Sequence, residues 1–150
     1  MAAKSWFRKS AGAVVYRSGL EDNIAKQLEA KGLPVSFESH FLNYIKPQTS
    51  HKYTPDFILP NGIIIESKGL FDVEDRKKHL LIKEQYPDLE IRFVFSRSAT
   101  KLYKGSKTTY ADWCIKYGFK FADKLIPVEW LREKSIIIPE GVLHAKKGDK

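Results

Sequence analysis

The chain has only one cysteine, Cys114. One thiol cannot form an internal disulfide framework, and the sequence has no CxxC pair or Cys/His spacing typical of a zinc site. It also lacks any window that approaches the roughly eighteen apolar residues of a membrane span, and residues 1–17 lack the apolar run of a signal peptide. These absences argue against disulfide-stapled, zinc-binding and membrane-spanning classes. We expect a cytoplasmic protein that has no membrane partner.

Internal repeats and low-complexity tracts are also lacking, so the sequence gives little support for several domains. A chain of 150 residues is long enough to bury about two-thirds of the surface that its unfolded form exposes. We therefore predict a single domain over residues 1–150.

Acidic residues are in the minority and are unevenly distributed. The chain has 26 Lys and Arg against 18 Asp and Glu, which gives a net charge of +8. Residues 1–17 contain bases and no acid, residues 101–150 have an excess of bases, and residues 51–100 are balanced. This distribution suits a polyanionic partner such as nucleic acid, with a local metal site among the acids. A basic protein without such a partner is the alternative.

Hydrophobic periodicity predicts a mixed α/β domain with a central sheet. The predicted helices cover residues 18–32, 73–85, 110–117 and 127–133. The predicted strands cover residues 35–45 and 91–96, with a hairpin over residues 53–68. In the first strand, alternation places one set of side chains on a common face: Val35, Phe37, Ser39, Phe41, Asn43 and Ile45. Residues 46–52 break the pattern and are predicted to be a linker, and the C-terminal tail is predicted to be loose.

The hairpin segment PDFILPNGIIIESKG, residues 55–69, carries two acids and a lysine around a run of isoleucines. Its Pro-Asn-Gly sequence predicts a three-residue loop in which Gly62 takes the left-handed conformation. That loop pairs Phe57 with Ile65 and Asp56 with Glu66. Directly opposed side chains have Cβ atoms roughly 4.5–5.5 Å apart, so the two carboxylates are predicted to lie close together.

Because strand side chains alternate, Glu66 and Lys68 are predicted to share a face with Asp56. Two close carboxylates repel each other unless a cation lies between them. Mg²⁺ takes carboxylate, carbonyl and water oxygens and keeps waters that a phosphate can replace. A lysine beside such a water can orient or deprotonate a nucleophile and offset charge on phosphate. The alternative is a solvated edge-strand ladder, with Asp56 as a turn residue.

The order Pro55-Asp56, nine further residues and Glu66-Ser67-Lys68 matches the PD-(D/E)xK nuclease motif. Wider segments strengthen the match: YRSGLED at 16–22, YTPDFILPNG at 53–62, ESKG followed by DRKKHLLIKEQYP, and TKLYKGS with KFADKLIPVEW. Together they resemble bacteriophage endonuclease I, a family of Holliday-junction resolvases. The resemblance covers residues 13–131 and is weakest at 46–52 and beyond 135.

The resemblance implies a Mg²⁺-dependent DNA endonuclease that resolves four-way junctions and other branched DNA and leaves 5′-phosphate ends. Asp56 and Glu66 would be metal-bridging acids, the Ser67 backbone carbonyl a further ligand, and Lys68 the catalytic lysine. Two Mg²⁺ ions per site are implied, with Mn²⁺ as a substitute. A nicking or restriction-like endonuclease on the same fold remains an alternative, as does a DNA-binding module without catalysis.

Glu21 corresponds to the family's extra acid on the first helix, which is expected to be catalytic and to bind a second metal ion. Ser18-Gly19-Leu20-Glu21 is also a capping box, in which the glutamate side chain bonds back to the cap residue. The sequence leaves both roles open, and the two would compete for one side chain.

The family also implies a restriction-endonuclease-like fold in a domain-swapped homodimer. Each active site would then combine the first-helix glutamate of one chain with the other catalytic residues of its partner. The nuclease domain would consist of a basic N-terminal arm at residues 1–12, a bridge at 46–52 and a loose basic tail at 135–150. A proline in such a bridge is equally typical of an ordinary loop. For a phage-encoded chain the compartment would be the host cytoplasm.

Basic side chains along the chain are the predicted contacts with DNA phosphates. They are Arg8, Lys9, Arg17, His51, Arg76, Lys77, Lys78, Lys101, Lys104 and Lys107. For each of them, a solvated position on a basic surface is the alternative.

Overall fold

The computed structural model describes residues 16–47 and 49–146. The helices in this part of the chain are α1 (Gly19–Ala30), α2 (Val73–Gln85), α3 (Tyr110–Tyr117) and α4 (Val128–Leu131). The strands are β1 (His40–Lys46), β2 (Thr49–Tyr53), β3 (Phe57–Ile58), β4 (Ile64–Lys68), β5 (Ile91–Phe95), β6 (Phe121–Asp123) and β7 (His144–Ala145). Within these ranges, no helix combines the length and the hydropathy needed to cross a bilayer.

The strands form two sheets. The larger has the order β3-β4-β5-β6, in which β3 is antiparallel to β4 while β4, β5 and β6 are parallel. The smaller is antiparallel and has the order β2-β1-β7. The prediction of a mixed α/β fold is confirmed.

The larger sheet separates two hydrophobic clusters, because successive residues of β4 point to opposite faces. Ile64 packs with residues of α2, α3 and the smaller sheet, whereas Ile65 packs with residues of α1 and α4. Both side chains are fully buried. Burial on both faces explains why this strand is a continuous apolar run rather than an alternating one.

The hairpin has the register that its loop predicts, with Phe57 opposite Ile65. Gly62 has a φ of 92°, in the left-handed region that glycine adopts without steric cost. A Cβ atom at this position would also clash with the backbone carbonyl of Ile136. Only glycine therefore fits this position, because it accepts the left-handed conformation and has no Cβ atom to clash.

The C-terminal segment holds this loop in place. The Asn61 side chain donates to the Trp130 carbonyl at 2.9 Å, and the Asn61 carbonyl accepts from the Ile136 backbone N–H at 2.7 Å. Further along, the Lys146 N–H donates to the Ser39 carbonyl, and β7 pairs with β1. Residues 135–146, for which we expected a loose tail, are thus hydrogen-bonded to the two sheets at several points.

Residues 35–45 differ from the predicted strand. Only His40–Lys46 is strand, and the buried side chains are Leu42 and Tyr44, while Asn43 and Ile45 are exposed. Within β1 the predicted alternation is observed, and the face that Asn43 and Ile45 share is the exposed one. Glu38 has a left-handed φ of 48°, which breaks the extended conformation, so the alternation does not continue from Phe37 into β1.

The segment predicted to be a linker, residues 46–52, contains the end of β1 and most of β2. Lys46 pairs with Thr49, and pairing with β1 continues as far as Tyr53 opposite Leu42. The sequence TSHKY has one large apolar residue, so its own pattern does not predict a strand. Pairing with β1 supplies the hydrogen bonds that stabilise it.

Candidate active site

One polar cavity of about 460 Å³ opens beside the carboxyl end of β4. All of the residues assigned by the sequence to catalysis and metal binding line it: Glu21, Asp56, Glu66, Ser67 and Lys68. The remaining lining residues are Arg17, Glu38, Lys52, Thr54, Lys78 and Lys146. The cavity therefore brings α1, the hairpin and β2 to one place.

Asp56 immediately precedes β3 and is almost fully buried, with 7% of its surface exposed. Its Oδ2 atom accepts hydrogen bonds from the Ser67 backbone N–H at 2.9 Å and from the Ser67 hydroxyl at 2.8 Å. Burial raises the pKa of Asp56, and the two Ser67 donors oppose that rise. Ser67 thus holds the carboxylate in position and favours its charged form.

The carboxylates of Asp56 and Glu66 have different partners. β3 is paired only at Phe57 and Ile58, so the ladder no longer fixes the direction of the side chain before it. The Asp56 carboxylate is bonded to Ser67, whereas the Glu66 Oε1 atom accepts from the Tyr53 hydroxyl at 2.7 Å. Phe57 lies opposite Ile65 as expected, and both carboxylates line the one cavity although their hydrogen-bond partners differ.

Glu66 has 5% of its surface exposed. Burial and, next, the charge of Asp56 raise the pKa of Glu66 to about 8, against the opposing effects of Lys68 and Tyr53. Its Oε2 atom lies 3.5 Å from the Lys68 Nζ atom. At neutral pH and without a cation, Glu66 is therefore mostly protonated.

Lys68 also lies 3.1 Å from the Asp75 Oδ1 atom, in the first turn of α2. Burial alone would lower the pKa of Lys68, but the charges of Glu66 and Asp75 outweigh burial and raise it. Lys68 is consequently an ammonium ion at neutral pH. This state favours charge stabilisation by Lys68 over proton abstraction.

Glu21 contributes to the start of α1 without completing a capping box. Its backbone N–H donates to the Ser18 hydroxyl at 3.0 Å, but its side chain accepts from the Arg17 backbone N–H at 3.1 Å. Burial, followed by the charge of Asp56, raises the pKa of Glu21 to about 7. The carboxylate lines the cavity while it still caps a backbone donor, so the two roles are compatible.

Glu38 is an acid that the sequence analysis missed. Carboxylate oxygens of Glu21, Glu38 and Asp56 all lie within 4.8 Å of one another. Glu38 is ion-paired with Arg17, and its backbone N–H donates to the Asp56 carbonyl at 2.8 Å. No spacing in the sequence marks this position, since its contacts come from residues far away along the chain.

The donor set of the cavity suits a hard divalent cation. Three clustered carboxylates face one guanidinium group, and oxygen ligands of this kind are those that Mg²⁺ takes. Among the described residues, Glu66 is not a member of the group of three, although it lines the same cavity. The cavity therefore offers oxygen donors on two sides.

A family model described as phage endonuclease I matches residues 1–150. The chain is 56% identical over 135 residues to Endonuclease I of Escherichia phage T7, a match that covers 90% of this chain and 91% of the relative. It is likewise 56% identical over 135 residues to Endodeoxyribonuclease 1 of Enterobacteria phage T3, with 90% and 89% covered. The chain belongs to the phage endonuclease I family. The resemblance inferred from the motifs is confirmed, and so is the prediction of an endonuclease.

In this phage endonuclease I family member, the predicted DNA contacts fall into different environments. Arg17 and Lys78 line the cavity. Arg76 donates to the Phe71 carbonyl at 2.7 Å, which gives it a structural contact, and His51 is hydrogen-bonded to Thr49 on β2. The exposed residues that do not line the cavity are Lys77, Lys101, Lys104 and Lys107. Arg8 and Lys9 lie outside the described residues.

Two bases in the cavity of this endonuclease I relative were also missed, Lys52 and Lys146. Lys52 lies on β2, which the sequence pattern did not predict, and Lys146 lies in the segment that was expected to be loose. A strand predicted over residues 49–53 would have placed Lys52 directly before Tyr53, which is buried. Lys146 carries no comparable signal.

Proposed function

We propose that this phage endonuclease I family member is a Mg²⁺-dependent endonuclease that resolves four-way junctions and other branched DNA. The chain is a deoxyribonuclease, in keeping with the names of its two relatives. The observation that carries the proposal is the polar cavity in which Glu21, Asp56, Glu66 and Lys68 meet, with bases at its rim. In a phage-encoded chain, the reaction takes place in the host cytoplasm.

The reaction is hydrolysis of a phosphodiester. A water oxygen attacks phosphorus in line, the bond from phosphorus to the 3′ oxygen breaks, and that oxygen takes up a proton. The products are a 5′-phosphate and a 3′-hydroxyl. Lys68 lies within 3.5 Å of Glu66 as an ammonium ion, where it offsets negative charge that develops on the phosphate.

Asp56 and Glu66, with the Ser67 backbone carbonyl, would hold one Mg²⁺ ion, and Asp56 with Glu21 would hold a second. Bound Mg²⁺ stabilises charge on phosphoryl oxygens and lowers the pKa of a coordinated water. The raised pKa values of Glu21 and Glu66, about 7 and about 8, mean that binding releases protons from these residues. Mn²⁺ offers the same preference for oxygen donors and is expected to substitute.

We further propose that the enzyme is a restriction-endonuclease-like homodimer, which provides two active sites for two opposing strands of a junction. In the single chain, Glu21 and Asp56 of the same chain approach each other. The short turn between β1 and β2 is the point at which two chains would exchange segments, so that the same contacts form between partners.

The proposal is tested by incubating the protein with a four-way junction and with a linear duplex of matched sequence, each with Mg²⁺ and with a chelator. Preferential Mg²⁺-dependent cleavage of the junction is expected. Equal cleavage of both would indicate a nicking or restriction-like endonuclease, and binding without cleavage would indicate a DNA-binding module.

The site assignment is tested with Asp56→Asn and Glu66→Gln, which remove charge and keep shape. Both are expected to abolish Mg²⁺-dependent cleavage and to leave junction binding in chelator nearly unchanged. Asp88→Asn, an exposed acid after α2, is the matched control and should cleave normally. Full activity of both site variants would contradict the assignment.

A further inference from the structure

Tyr53 connects the smaller sheet to the strand that carries the candidate active site. It is the last residue of β2, pairs with Leu42 of β1 and has 1% of its surface exposed. Its hydroxyl donates to the Glu66 Oε1 atom at 2.7 Å. Glu66 belongs to β4 of the larger sheet, so this hydrogen bond crosses from one sheet to the other.

Two consecutive residues of α2 hold the ring of Tyr53 in place. The His79 ring packs edge-on against it, with centroids 5.1 Å apart and an interplanar angle of 83°. The Lys78 Nζ atom lies 5.6 Å from the centroid of the Tyr53 ring. His79 is fully buried, and neither of its ring nitrogens has a hydrogen-bond partner among residues 16–47 and 49–146. Its role here is aromatic packing, and this packing restricts the direction in which the Tyr53 hydroxyl points.

The contact leaves the two oxygens of Glu66 with different surroundings. Oε1 is bonded to Tyr53, while Oε2 is the oxygen nearest to Lys68, at 3.5 Å. A glutamate has three rotatable bonds, so a strand position alone does not fix its carboxylate. A short hydrogen bond from a locked donor removes that freedom before any ligand binds.

We propose that Tyr53 is a positioning residue, whose hydroxyl holds one oxygen of Glu66 so that the other is presented to a divalent cation in the cavity. This inference rests on the proposed function, because it assumes that Glu66 is a metal ligand. It adds a residue from β2 to the machinery of the site. Groups that hydrogen-bond to a ligating carboxylate typically change metal affinity or activity about 10–100-fold when they are removed.

The test uses Tyr53→Phe, which keeps the ring and its packing and removes the hydroxyl. Mn²⁺ binding is measured by titration calorimetry on the full chain without DNA, and the Mg²⁺ concentration for half-maximal junction cleavage is measured separately. We expect metal affinity to fall about 10–100-fold, with junction binding in chelator unchanged. Metal affinity equal to that of the wild type would overturn the proposal.

Tyr110→Phe is the matched control. Tyr110 is also buried, with 2% exposed, and its hydroxyl accepts from the Phe71 N–H at 3.1 Å, so the substitution removes one hydrogen bond from the same core cluster. It should bind Mn²⁺ like the wild type. An equal loss in both variants would point to general loosening of the core and would overturn a specific role for Tyr53. In a Glu66→Gln background, Tyr53→Phe should add no further loss, and an additive loss would contradict the inference.

A further measurement uses the wild-type protein, so it does not require that any variant folds. The buried Tyr53 hydroxyl proton, assigned by NMR through the Tyr53 ring protons, which pack against the His79 ring, should shift when Mg²⁺ is added, and an unchanged signal would count against the role. If the wild type neither binds Mn²⁺ nor cleaves DNA, the proposed function fails. If it does both while Tyr53→Phe binds metal equally well, only the role of Tyr53 fails.

Discussion

Individual carboxyl groups at the candidate active site are buried at a cost to their ionised forms. Glu66 is buried near Asp56, and its pKa is raised to about 8 from an ordinary value of 4.5. The ionised form of Glu66 is therefore unfavourable in the fold without a metal ion. Such a cost is common where binding residues are arranged for a ligand rather than for stability.

The raised pKa of Glu66 predicts how stability depends on pH in chelator. Below pH 4.5 the carboxyl group is protonated in the folded and the unfolded state alike. As the pH rises towards 8, the unfolded state loses its proton while the folded state retains it, so this group makes folding less favourable. We expect wild-type protein to lose on the order of a few kcal/mol of unfolding free energy from this source between pH 5 and pH 8.

Urea unfolding of the wild type and of Glu66→Gln at these two pH values measures the effect. The glutamine variant should lose less stability as the pH rises, whereas Glu84→Gln, at an exposed position of α2, should follow the wild type. Parallel pH dependences for wild type and Glu66→Gln would contradict the raised pKa. Added Mg²⁺ should reduce the loss in the wild type alone.

At the scale of elements, α2 and Lys68 share one acid. Asp75 accepts from the Asp72 backbone N–H to complete the capping box of α2, and its other oxygen lies 3.1 Å from the Lys68 Nζ atom. The start of the helix and the position of the lysine are thereby linked. The sequence predicts this helix over residues 73–85, and the structure gives the same bounds.

The turn of the β3–β4 hairpin gives a prediction about stability. Gly62→Ala forces a side chain into a left-handed conformation with a φ of 92° and against the Ile136 carbonyl. We expect about 3 kcal/mol or more of destabilisation in urea unfolding, from strain and displacement together. Gly32→Ala, at a φ of 72° with open space around its Cβ, should cost about 1 kcal/mol. Equal losses would show that the contact with Ile136 does not matter.

Local signals predicted the elements that depend on local chemistry. The Pro-Asn-Gly loop predicted the hairpin register, and hydrophobic periodicity predicted α2 and α3, because turns and helix faces are set by nearby residues. The start of β1 was not predictable, since Glu38 adopts a left-handed φ that its residue type does not demand. Glu38 itself was missed for the same reason that Tyr53 was: both reach the site through pairings with distant strands.

At the scale of the whole molecule, the chain has a net charge of +8, although carboxylates cluster in its cavity. Bases such as Lys52 and Lys78 lie in the cavity beside the carboxylates. Positive and negative side chains thus lie together in one cavity.

If the cavity bases contact phosphates, each one should contribute to the salt dependence of DNA binding. Lys52→Ala and Lys78→Ala are each expected to reduce the slope of log affinity against log salt by about 1. Fluorescence anisotropy of a labelled junction in chelator measures the slope without cleavage. Lys31→Ala, an exposed lysine at the end of α1, is the control. Unchanged slopes at both cavity positions would place the DNA elsewhere on the protein.

The bond between Asn61 and residues 130–136 has a consequence at a distance. The short hairpin that carries Asp56 and Glu66 is hydrogen-bonded at its loop to the C-terminal part of the chain. Together with the pairing of β4 with β5 along its whole length, these hydrogen bonds at the loop restrict the movement of the hairpin that carries both acids. Residues that never approach the substrate would in this way govern the precision with which the site meets a phosphate.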